Sequence, residues 1–166
     1  MDKKLTVEKL KAHGVWKIRK FASQEAFERG EAFEDKFIGE NLLLNEGLNE
    51  LFTLLAGTGG TLFDAGNAYI GVGDSATAAA ATQTGLQAAT NKLYKAMDGG
   101  YPTYGTLQKA IWRATFASGD ANFAWNEFTV ANGNSDAAVN LNRLVSAQGT
   151  KVSGQVWQLT LEISIS

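Results

Sequence analysis

The sequence predicts a mainly β protein. An antiparallel β-sandwich or jelly-roll body spans 22–166, with one short amphipathic helix over about 46–56 and a charged N-terminal arm or edge segment over 1–21. Three observations carry this. The C-terminal stretch alternates, with Trp157, Leu159, Leu161, Ile163 and Ile165 on one face and Gln158, Thr160, Glu162 and Ser164 on the other. A period of two over that length means one dry and one wet face of a sheet. Apolar runs also recur about every ten residues between clusters of turn formers, the rhythm of a sandwich. Only one segment carries a helical stripe.

Taken in order, Asp2 to His13 is rich in charge and free of glycine, which suits either a solvated helix or an arm that orders on a partner. Gly14 opens a strand over Val15–Phe21, where Trp16 and Ile18 share one face while Lys17 and Arg19 point the other way. Ser23–Asp35 reads as a loop or a short helix, and Lys36–Gly39 is too short to assign. Asn45 is placed as an N-cap with Glu46 in the first turn, where the helix dipole favours an anion. Leu48, Leu51, Phe52 and Leu55 then fall at i, i+3, i+4 and i+7, until Gly57, Gly59 and Gly60 stop the helix. Strands follow over Ala68–Val72, Lys92–Met97, Leu107–Phe116, Asn122–Val130 and Val139–Ser146, ahead of the C-terminal one. The stretch Ala131–Asp136 is dense in turn residues.

Composition removes many chemistries. The chain of 166 residues has no cysteine and one histidine, His13. That excludes disulfides, thiolate nucleophiles, Cys-ligated zinc and multi-histidine metal sites. Lys and Arg number 15 against 17 Asp and Glu, for a formal charge of −2. The charge is unevenly placed: residues 1–20 hold seven Lys/Arg and two Asp/Glu, whereas 21–40 hold two and six. The basic stretch lacks a continuous cationic run and an acidic block follows it, so no nucleic-acid partner is expected. No apolar run approaches the roughly 18 residues of a membrane span, so no membrane contact is expected either.

Each motif has a plain reading beside its chemical one. Gly71-Val72-Gly73-Asp74-Ser75-Ala76 matches a loose dinucleotide loop, but the βαβ alternation such a loop needs is missing. Gly73-Asp74-Ser75 resembles an esterase nucleophile block, yet His13 is the only base and lies in a charged terminal segment. Asp120, Asn122, Asn132, Asn134 and Asp136 offer oxygens to calcium, without the EF-hand spacing. Asp64, Asp74, Asp98, Asp120, Glu127 and Asp136 are the carboxylates from which a hydrolytic pair would be drawn. Turn chemistry accounts for all of these more simply. Trp112 and Trp157 sit in phase with apolar neighbours and belong to a core, while Trp16, in a charged setting, is the best interface aromatic. No catalytic residue, metal ligand or cofactor is assigned.

The block Asn41–Leu48 leading into the leucine-striped helix, Tyr69–Ser75 before an Ala/Thr-rich loop, Gly119–Phe128, Leu141-Asn142-Arg143, and Gly149-Thr150-Lys151 before the final strand form a succession. It resembles small virion structural proteins of tailed bacteriophages, described as head decoration (auxiliary) or minor tail proteins. The resemblance covers about 41–166. It implies a β-sandwich body without catalysis, made in the host bacterial cytoplasm and seated on the outer capsid surface of the virion. The implied partners are the major capsid protein and copies of the chain itself, as a homotrimer. The expected role is that of a decoration (cement) protein that stabilises the shell; the alternative is a minor tail or tail-fibre protein contacting other tail proteins or a host receptor. Lys3, Lys4, Lys9, Lys11, Trp16, Lys17, Arg19 and Lys20 are the expected partner-binding residues of the N-terminal segment.

Overall fold

A computed structural model describes residues 11–166, so Lys3, Lys4 and Lys9 lie outside the described residues. Among the described residues ten strands form two antiparallel five-stranded sheets. The strands are β1 (Ala12–Phe21), β2 (Glu34–Glu40), β3 (Leu42–Leu43), β4 (Tyr69–Gly73), β5 (Lys92–Ala96), β6 (Thr103–Thr106), β7 (Lys109–Phe116), β8 (Glu127–Ala131), β9 (Asn142–Val145) and β10 (Val156–Ile165). The first sheet runs β2-β1-β10-β7-β6 and the second β3-β9-β8-β4-β5. The helices α1 (Gln24–Glu28) and α2 (Asn45–Leu55) fill connections.

The dry faces read from the sequence are the faces that meet. Trp157, Leu159 and Leu161 of β10, Trp112, Ala114 and Phe116 of β7, and Trp16 and Ile18 of β1 pack against Ile70, Val72, Phe128 and Val130 of the second sheet in one core. Trp125 sits at its centre, edge-on to both Phe116 and Trp157 with ring centroids 4.8 Å apart, a geometry that adds to simple burial.

The charged N-terminal segment is not an arm over its whole expected length. Ala12–Phe21 is an interior strand, bonded on one side to β10 from Ala12↔Ile165 to Phe21↔Val156 and on the other to β2. The charge split then explains itself. The basic strand lies beside the acidic one: Lys17 Nζ is 2.8 Å and Arg19 Nε 3.3 Å from the Asp35 carboxylate, and Lys20 pairs with Glu34. Opposite charges directly across a strand pair stabilise the sheet.

Three strands, β2, β3 and β6, were not separable in the sequence. The stretch around α1 is a helix capped by Ser23, whose hydroxyl accepts from the Ala26 N–H at 3.2 Å. α2 starts one residue earlier than expected: Leu44 is its N-cap, with no side-chain cap bond, so Asn45 is the first helical residue. Among the described residues no helix is long and apolar enough to cross a membrane.

Candidate functional site

An amphipathic stripe on a helix ordinarily faces the core. On α2 most of it faces away: Leu51, Phe52 and Leu55 are 41%, 67% and 83% exposed and the nearby Leu62 is 52% exposed, while Leu48 is half-buried. The reason lies on the opposite side of the helix. Gly47 is buried against the segment leading into β9, where a Cβ would come within 2.5 Å of the Leu141 Cα. Glu50 accepts the Thr61 N–H at 2.5 Å and Glu46 accepts the Asn140 N–H at 2.9 Å. Two carboxylates and a glycine therefore dock the helix, Leu54 packs on the core edge, and the larger apolar side chains are turned outward. Periodicity marked the stripe but could not say which way it would face.

A second structured feature lies at the loop between β4 and β5. Glu127 of β8 and Arg143 of β9 are fully buried as an ion pair. Arg143 Nε donates to Glu127 Oε2 at 2.9 Å, while its Nη2 lies 2.7 Å from the same oxygen in ionic contact rather than an aligned bond. The pair reaches into the loop. Glu127 accepts the Gln87 and Ala88 N–H groups at 2.9 and 2.7 Å, and Arg143 Nη1 donates to Gln83 Oε1 at 2.9 Å. This network explains the glycines of the Gly71–Ala76 motif. A Cβ on Gly71 would lie 2.7 Å from the Tyr94 ring and 2.8 Å from Thr129 Cγ2, and one on Gly73 would fall on Glu127 Oε1. Those glycines make room for buried neighbours rather than for a pyrophosphate.

The other candidate groups are engaged in holding turns. Asp98 accepts from Arg113 Nε at 2.9 Å and from the Thr115 N–H and hydroxyl at 2.9 and 2.8 Å. Asp64 accepts the Gly66 and Asn67 amides, Asp74 accepts from Asn91 Nδ2, and Asp136 binds Lys92 and the Tyr94 hydroxyl. Asp120 accepts Lys95 Nζ at 2.7 Å and the Ala117 N–H at 2.9 Å. Burial alone would raise its carboxyl, but those donors hold it below its ordinary value. Asn122 accepts from the buried Lys151, whose ammonium is lowered by its removal from water. Asn132 bridges the Val139 N–H and the Thr61 carbonyl. Ser75 bonds Thr77, whereas His13 lies in the first sheet in register with Ser164.

The expected partner-binding residues divide. Lys11 is exposed just before β1, its N–H donating to the Ser166 carbonyl. Lys17 and Arg19 are part-exposed and share Asp35. Two need correction. Trp16 is 0% exposed, packed against Phe128 at 6.1 Å, because its face of β1 is the one that meets the second sheet. Lys20 is 6% exposed, lying over the Trp157 ring at 4.4 Å and donating to the Gln148 carbonyl at 2.7 Å. Neither side chain has surface to offer a partner. All four tryptophans are buried. No family model, no curated protein and no solved structure matches the chain.

Proposed function

We propose that this chain is a non-enzymatic structural protein of a tailed-phage virion, a decoration protein that binds the outer capsid surface as a homotrimer and stabilises the shell. The observation that carries the reading is the outward stripe of α2. Large apolar side chains on a rigid helix, turned to water while the inner face is spent on carboxylate–amide bonds, are the composition of a protein interface rather than of a free surface. The β-sandwich agrees with the body implied by the resemblance to virion proteins.

In mechanism, the sandwich is the rigid frame and α2 the contact element. Leu51, Phe52 and Leu55 bury against a capsid subunit or a neighbouring copy, and each contact is modest. Repetition around a lattice converts modest contacts into firm attachment through effective concentration.

Gel densitometry of purified virions tests the reading directly. A decoration role requires hundreds of copies per particle, in fixed proportion to the major capsid protein. A few copies per particle would move the chain to the tail, and absence from the particle would end the proposal.

A further inference from the structure

Beside β9 the second sheet has an edge that β3 covers only in part. β3 pairs with β9 only at Leu42↔Arg143 and Leu43↔Asn142. Its preceding residues turn away to the first sheet, where Glu40 is in register with Val15 and the Asn41 N–H donates to the Gly14 carbonyl. β9 continues without it.

Backbone alternation then fixes where the next hydrogen-bonding groups point. On the β8 side, Phe128 is opposite Leu144 and the Ser146 N–H donates to the Asn126 carbonyl at 2.7 Å, so Leu144 and Ser146 direct their backbone groups toward β8. Val145, between them, directs its N–H and C=O the other way. Among the described residues nothing pairs with them there.

In front of this edge is a slot of about 490 Å³ whose lining includes Glu40, Asn41, Val145, the loop residues Ala78 and Ala79, and Arg143, whose charge is already paired with Glu127. Its wall carries an unsatisfied acceptor, the buried Asn41 Oδ1, and its rim carries the exposed carboxylate Glu40. The loop wall is held in place by the buried Glu127–Arg143–Gln83 network.

We infer that this edge accepts an extended strand from another protein chain. The occupant is a short β-forming peptide whose backbone pairs with Val145 N–H and C=O, extending the sheet where β3 leaves it. A small or β-branched side chain fills the alanine-lined slot, and a lysine or arginine flanks it to meet Glu40. An edge with unpaired groups and neither lysine nor proline to blunt it is the kind that recruits a strand.

The probe is a synthetic peptide, acetyl-Lys-Val-Ala-Val-Lys-amide, added to the full chain while the Val145 amide is followed by NMR and hydrogen exchange. The expected result is saturable binding with protection of the Val145 N–H. N-methylation at alternate peptide residues weakens binding about tenfold, by loss of ladder hydrogen bonds; methylation at the intervening residues leaves it unchanged. Ala79→Trp, which fills the slot at a half-exposed position, abolishes binding while thermal stability is retained. Glu40→Gln weakens binding at low salt only. Two results overturn the inference: binding indifferent to the position of N-methylation, or no binding at millimolar peptide. Protection of the Val145 N–H before peptide is added would overturn assignment to another chain, placing a segment of the same chain there instead. Particle binding through α2 is read separately, so failure here leaves that reading standing.

Discussion

Replacing Glu127 by glutamine keeps the shape of the side chain and removes its charge. Arg143, fully buried, is then left without a counter-ion. Breaking a buried pair from one side costs about 3–5 kcal/mol, because the remaining charge stays desolvated. The amide also keeps only one acceptor, whereas the carboxylate serves Gln87 and Ala88 with one oxygen each, besides Arg143. For a chain of this size each kcal/mol shifts the melting temperature by roughly 2–4 °C, so Glu127→Gln should lower it by roughly 6–20 °C. Circular dichroism melts and urea titrations measure both quantities. The double variant Glu127→Leu with Arg143→Met should recover only part of the loss: both buried charges go together, but the Gln87 and Ala88 N–H groups lose their acceptor. A loss below about 1 kcal/mol for Glu127→Gln, the size of an ordinary surface change, would refute the pinning role of the pair.

Other outcomes follow from the same geometry. Leu51→Gln, Phe52→Gln and Leu55→Gln together should change stability by no more than about 0.5 kcal/mol each, because they are exposed and glutamine suits a helix, yet should abolish attachment to particles in a sedimentation assay. Gly71→Ala should cost about 1–3 kcal/mol by overpacking against Tyr94 and Thr129 in a urea titration. Glu34 is held below the ordinary carboxyl value near 4.5 by hydrogen bonds from Lys20 and then Lys36. With a depressed folded pKa its stabilisation is complete above about pH 4.5 and is lost as pH falls through the folded value. Glu34→Gln should therefore flatten the acid limb of a stability–pH curve while leaving the curve above pH 7 parallel to that of the parent.

Long strands with one dry face were legible because burial of alternate residues leaves a period in the sequence. β10 appears as Val156–Ile165 and β7 as Lys109–Phe116, with the expected faces inward except that Ile165 at the end of β10 is exposed and Gln158, on the face expected to be wet, is buried. β2 was hidden because its pattern at Glu34–Glu40 is mostly polar and exposed, with only Ile38 buried. β3, two residues long, has no period to detect.

Trp16 shows the commonest way sequence context misleads. Its charged neighbours Lys17 and Arg19 lie on the opposite face of the same strand, so they say nothing of where the indole goes. α2 shows another. A helical stripe sets which residues share a face, but here two carboxylates bound by loop amides and one glycine decided which face met the body. Those partners, Thr61 and Asn140, are 11 and 94 residues distant from their carboxylates and cannot be read from local pattern.

Co-sedimentation of the purified full chain with undecorated shells of the proposed parent phage tests most directly whether the molecule works by attachment. The chain should pellet with the shells to a fixed ratio per capsid subunit, and the shells should then withstand a higher temperature. A chain that stays in the supernatant as a monomer at every concentration, with shell stability unmoved, would contradict the account.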